Sequence, residues 1–175
     1  MFQPDGEPLP NLPTGIPGVE LRELTVQDAE AFFDLVQRNR AFLTRYGDYT
    51  DLVTKTREEI ARDMAPPPAA NLRMGIWREG EFMGLVNLYE AAPGIFVLGF
   101  WLGEAFTGHG YMTAACQALM VYARRTHTVK QFWAGVRHAN FESAAVMERL
   151  GFAVYEALPD RKRYWMVCQS GGERP

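Results

Sequence analysis

The chain has 175 residues, 47% of them hydrophobic, 22% charged and 13% aromatic, which suits one domain with a sizeable core and excludes wholesale disorder. Its 18 basic and 21 acidic side chains leave a formal charge of −3, so no broad basic surface exists for nucleic-acid binding through counterion release. Two cysteines, Cys116 and Cys168, cannot build a disulfide framework or a Cys-x-x-Cys zinc site.

The first residues, Met-Phe-Gln-Pro-Asp, lack the basic start and apolar run of a signal peptide. The most apolar stretch, residues 114–123, is interrupted by Gln117 and is too short to span a bilayer. A soluble, cytoplasmic protein with no membrane partner is expected. Five of the eleven prolines fall before Val19, so residues 1–18 read as an extended arm. Residues 19–24 alternate apolar and polar, a short strand. Thr25 with Asp28 marks a helix start, and Ala29, Phe32, Phe33 and Val36 follow at helical spacing. Two further helices are predicted over 40–46 and 56–64. The run Pro66-Pro67-Pro68 then separates a helical part from a strand-rich part.

Residues 73–78 and 82–89, joined by Glu79-Gly80, predict a β-hairpin, and the β-branched and aromatic residues of 95–102 a third strand. A helix over 110–125, a strand over 131–136 and a helix over 141–150 follow. Two last strands, 152–158 and 164–168, flank Pro159-Asp160, and 170–175 form a tail. The order predicts an α/β (α+β) mixed sheet with helices packed on it, one domain over 19–169.

The most informative segment is Thr107-Gly108-His109-Gly110-Tyr111-Met112, between a strand and a helix. Gly108 and Gly110 allow a turn without a Cβ and close approach to a ligand. Met112, Ala115, Cys116, Leu119, Tyr122 and Ala123 form one apolar face that would fix the helix on the sheet. Its free amides and the positive end of its macrodipole would then suit a phosphate or pyrophosphate. The spacing alone also suits an ordinary glycine turn. It is neither the dinucleotide Gly-x-Gly-x-x-Gly, since position 113 is Thr113, nor a P-loop. One strand later, Asn140 is a natural helix N-cap and Gly151 a natural C-cap. Those capping roles account for each residue singly but not for the pairing of the two units.

Phe100-Trp101-Leu102, Gly108-His109-Gly110-Tyr111, Asn140-x-x-Ser143 and Leu150-Gly151-Phe152 together resemble the GNAT superfamily of N-acetyltransferases, and within it the ribosomal-protein N-terminal (alanine/serine) acetyltransferase branch. The resemblance spans residues 19–168 and is sharpest over 99–152. It implies a mostly antiparallel sheet splayed at one parallel strand pair, helices on both faces, and acetyl-coenzyme A (acetyl-CoA) held in the splay between strands ending near Leu102 and Val136. By the same resemblance, the backbone of Trp101 and Leu102 would pair with the pantetheine arm. Thr107, Gly108, His109, Gly110, Tyr111 and Met112 would hold the pyrophosphate, and Asn140 the arm near the thioester. Many members carry a tyrosine acid seven residues after that Asn. Met147 stands there and cannot donate a proton, so Ser143 is the residue expected beside the departing sulfur.

Direct transfer needs a neutral amine, and a peptide α-amine, with a reference pKa of about 7.7–8.0 against about 10.4 for lysine, needs less help to become one. Glu90, at a strand end, is the first candidate base, with Glu104 and Asp48 behind it. His109 and His138 read as loop or cap residues and His127 as a cation at a helix end; no histidine spacing fits a metal. Cys116 reads as a buried hydrophobe. The expected reaction moves an acetyl group from acetyl-CoA to an amine, foremost a protein N-terminus. A small-molecule (antibiotic or polyamine) acetyltransferase and a non-catalytic acyl-CoA sensor are the alternatives. Monomer and homodimer stay open.

Overall fold

A computed structural model describes residues 8–65 and 71–168. The triple proline, the first seven residues of the arm and the 170–175 tail lie outside them. The described chain runs β1 (Leu12–Pro13), β2 (Val19–Glu23), α1 (Ala29–Arg38), α2 (Arg40–Thr44), α3 (Arg57–Asp63), β3 (Asn71–Arg78), β4 (Glu81–Ala92), β5 (Ile95–Leu102), α4 (Tyr111–Thr126), β6 (Gln131–Arg137), α5 (Phe141–Arg149), β7 (Ala153–Ala157) and β8 (Arg161–Val167). One eight-stranded sheet has the order β1-β2-β3-β4-β5-β6-β8-β7. Every neighbouring pair is antiparallel except β5 and β6.

Part of the expected arm is an edge strand. Leu12 and Pro13 pair with Leu21 and Glu20, and the Thr14 hydroxyl donates to the Val19 carbonyl at 2.8 Å. Pro13 suits this place because an edge strand can spare a donor. β8 starts three residues before its predicted position. Arg161, Lys162 and Arg163 look like a loop by charge, yet each pairs with β6.

The helix starts follow the local chemistry. Thr56 and Glu59 form a reciprocal capping box at α3, with bonds of 3.2 and 2.8 Å. Asp28 accepts from the Thr25 amide at 2.8 Å, although one 3-10 turn precedes α1 there.

Two cores lie on opposite faces of the sheet. On one, Leu119 of α4 and Met147 of α5 pack with Phe96, Phe132 and Tyr164. On the other, Phe32 and Val36 of α1 and Ile60 of α3 pack with Trp77, Phe82 and Trp101. The sheet thus separates α4 and α5 from the α1–α3 group, and any gap between strands opens to both faces.

Candidate active site

That gap lies between β5 and β6. The two strands pair only from Ile95–Gln131 through Val97–Trp133. Beyond this point β6 stays bonded to β8 as far as Arg137, and β5 to β4 as far as Leu102. The strands therefore part, and a cleft of about 1130 Å³ occupies the opening. Because sheet residues alternate in direction, one set of β5 backbone groups points into it.

Two bonds fix which set. Gly103 donates to Met83 of β4 at 2.9 Å, whereas the Phe100 carbonyl accepts the Tyr49 hydroxyl at 2.5 Å. Leu98, Phe100 and Leu102 therefore turn their N–H and C=O groups toward the cleft, and Gly99 and Trp101 turn theirs toward β4. This corrects the expectation for Trp101. It borders the cleft, but its ring sits in the second core, edge-on to Phe32 at 5.3 Å. Leu102 and Phe100 are the residues of this stretch whose backbone polar groups face the cleft that they line.

At the open end, α4 begins with Gly110 at the cap position, φ 78°, and no side chain caps it. Gly108 has φ 79°, and a Cβ at either glycine would meet open space. Glycine is required here by backbone conformation, which leaves room for a ligand. Ala114 makes the first intrahelical bond, to the Gly110 carbonyl at 3.1 Å. The amides of Gly110, Tyr111, Met112 and Thr113 precede that ladder.

Tyr111 anchors this start: its hydroxyl accepts from Arg78 of β3 at 2.6 Å. Met112 is 7% exposed and packs with the core, so its bulk leaves the amides accessible. Thr107 contributes less than expected, since its hydroxyl and amide both donate to the Glu104 carbonyl, at 2.8 and 3.2 Å. The His109 ring stacks on Tyr111 at 5.3 Å and is not part of the cleft lining. An anion is suited to this corner by its chemistry. The Thr113 hydroxyl supports that fit: it is buried and has no hydrogen-bond partner among the described residues.

Asn140 and Ser143 line the same cleft from α5. The Asn140 side-chain carbonyl accepts from the Ser143 amide at 3.0 Å, which is the cap, and its NH₂ remains available to donate. The Ser143 hydroxyl has no protein partner among the described residues. Met147 is fully buried in the first core and presents no proton donor. Cys116 is fully buried as well, and burial pushes its thiol pKa up, so it supplies no thiolate.

Glu90 is a second correction. It pairs with Phe96, at the closed end of the β5–β6 pair, and its carboxylate accepts from the Gly94 amide at 2.7 Å. There it borders a separate small pocket with His127 and Lys130, so topology removes it from the reacting end. Glu104 is exposed outside the cleft lining. Asp48 does line it, and Arg137 of β6 holds its carboxylate at 3.0 Å. Sequence reading missed the other groups beside Asp48, namely Arg45, Tyr46, Tyr49 and Glu142, because only folding brings residues 45–49 to the split. No cluster of three or more metal-ligating side chains occurs among the described residues, and no helix there is long and apolar enough to cross a membrane.

The architecture and cleft are those of a GNAT acetyltransferase. The family model for the acetyltransferase (GNAT) domain matches residues 19–153, and the chain belongs to that family, an acetyl-CoA-dependent N-acetyltransferase. Among curated proteins it is similar to YdaF of Bacillus subtilis (strain 168), an inferred ribosomal N-acetyltransferase, with 26% identity over 141 residues and 77% of each chain covered. It is also 23% identical to the ribosomal-protein-serine acetyltransferase of Escherichia coli (strain K12), over 80% of this chain and 82% of that one. Among solved structures, RimL, a ribosomal L7/L12 alpha-N-protein acetyltransferase in complex with coenzyme A, superposes with a TM-score of 0.80 and 24% identity, covering 90% of this chain and 98% of that one. The microcin C7 self-immunity acetyltransferase MccE, in complex with acetyl-CoA and AMP, gives 0.76 at 21% identity, covering 89% and 97%.

Proposed function

We propose that the protein acetylates the N-terminal α-amine of a protein or peptide, in the manner its ribosomal-protein acetyltransferase relatives are named for, in a cytoplasmic setting. The observation that carries the reading is a cleft through the sheet whose two faces differ. On the α4 side lie the uncapped amides of Gly110 to Thr113, suited to the pyrophosphate of acetyl-CoA. On the α1–α3 side lies Asp48, braced by Arg137, suited to an amine.

In this reading the thioester arm runs along Phe100 and Leu102, and Asn140 donates to it. The amine nitrogen attacks the thioester carbonyl carbon, the carbon–sulfur bond breaks, and the amine's proton passes to Asp48 directly or through water. The thiolate takes a proton relayed at the Ser143 hydroxyl and leaves as coenzyme A. Most of the acceleration then comes from proximity. An α-amine suits so sparse a site, since at neutral pH an appreciable fraction of it is already uncharged.

The test is thiol release from acetyl-CoA with a panel of N-terminal peptides set beside polyamines, lysine side-chain peptides and amine antibiotics. Peptide α-amines should give the highest kcat/KM. Release with a small amine and with no peptide would replace this reading by the small-molecule one. Acetyl-CoA binding without release for any acceptor would replace it by the sensor.

A further inference from the structure

Segment 45–49 crosses the split between β5 and β6 on the α1–α3 face and is tied at three places. Tyr49 donates to the Phe100 carbonyl of β5 at 2.5 Å. Asp48 is held by Arg137 of β6 at 3.0 Å. Arg45 and Tyr46 reach Glu142 of α5 at 2.7 and 3.2 Å. Nothing else among the described side-chain bonds links β5 and β6 past Val97 through one loop. The strap makes the wall opposite the α4 amides, the side from which an amine must come.

Tyr49 achieves its tie in an unfavourable way. Its backbone lies at φ 58°, the left-handed region that Gly and Asn enter readily and an aromatic residue does not. Such outliers persist where surrounding contacts over-determine them, and they concentrate at working sites. The residue is 36% exposed, yet its hydroxyl end is crowded by protein. That burial, with the negative charge of Asp48 beside it, pushes the hydroxyl pKa up. The shift favours the neutral hydroxyl, which is the form that donates.

We infer that Tyr49 is a positioning residue for the acceptor amine: its strained backbone aims the hydroxyl at Phe100, which locks strap 45–49 and with it Asp48 against the reacting end of the cleft. This rests on the amine-acetylating function proposed above and adds a residue to it. A tyrosine kept merely for folding would be missed in the melting temperature, even when its replacement fits φ 58°. A positioning tyrosine would be missed in turnover instead.

Two variants separate these cases, with kcat on the best peptide acceptor, acetyl-CoA Kd and thermal midpoint measured for each. Tyr49→Phe removes only the hydroxyl, and kcat at saturating peptide should fall about tenfold, because small misplacements of a reactant are costly. Its Kd for acetyl-CoA should change by much less than kcat, about twofold to threefold, since the α4 amides are untouched and only the Phe100 carbonyl beside the arm loses a partner. Tyr49→Asn relieves the backbone and should melt at the same or a higher temperature while losing at least as much turnover. Unchanged kcat in Tyr49→Phe overturns the inference, as does a loss that tracks weaker acetyl-CoA binding. If the unmodified protein turned over no amine at all, the proposed function would fall and this inference with it. That outcome is read on the wild type alone.

Discussion

Helices α4 and α5 each follow a strand of the split pair, and their first turns face one cleft, but they are finished differently. At α5 the Asn140 side chain satisfies the Ser143 amide, so the helix closes its own N-terminus. At α4 a left-handed glycine stands where the cap would be and no side chain serves the first amides. One helix start is complete within the protein, and the other leaves its first amides open to the cleft, where the proposed reading puts the pyrophosphate. The difference separates what the fold needs from what the ligand needs, although both starts would look alike as capping positions on a sequence.

The comparison breaks most visibly at Gly110. Gly110→Glu adds a side chain at φ 78° and a carboxylate among the amides proposed to hold phosphate. Acetyl-CoA affinity should drop about 100-fold or more, roughly 3 kcal/mol, by calorimetry. Wild-type affinity in this variant would mean the α4 start is not the anion site. Ser143→Ala probes the other helix. Its amide and the cap survive, so acetyl-CoA Kd should hold while kcat falls about 100-fold, the low end for a lost proton relay. A loss in Kd with kcat intact would reassign Ser143 to binding.

Asn140 is a cap and, in the proposed function, also a donor to the cofactor arm, and two substitutions pull these roles apart. Asn140→Ala should lower stability by about 1 kcal/mol through the lost cap. Asn140→Asp should keep the cap and its melting temperature but weaken acetyl-CoA binding, because it removes the NH₂ donor. Equal binding by wild type and Asn140→Asp would leave Asn140 a cap only. The smallest effect is expected at Glu90. Glu90→Gln should leave kcat and its pH profile within about twofold of wild type, since Glu90 sits at the closed end of the strand pair. A collapse of turnover would restore it as the base.

What the sequence could reveal was decided by how local each signal is. Gly108, Gly110, Asn140 and Ser143 act through their own few bonds, and their spacing survives as a readable pattern. The exchange of Trp101 for Phe100 turns on which neighbouring strand each residue's backbone faces. Nothing in residues 100–102 themselves records that. Glu90 was misplaced for a related reason: a strand end is visible in sequence, but which end of the sheet it occupies depends on topology. Tyr49 left no trace, because a tyrosine is among the last residues one would assign a left-handed backbone. The three cations at the start of β8 hid a paired strand behind their charge.

The short β5–β6 pairing has a further consequence. Val97–Trp133 is the last rung that holds the two strands together, and each strand step beyond it adds about 3.3 Å. From Leu98 to Leu102 the open edge of β5 therefore measures about 13 Å, four such steps. The rung works as the zero mark of a ruler laid from the sealed end of the sheet toward α4. One extra rung would shorten the scale by one step while α4 stayed anchored through Tyr111 and Arg78. A ligand pinned by its phosphates at α4 would then present its far end at the wrong depth, although every contacting residue remained.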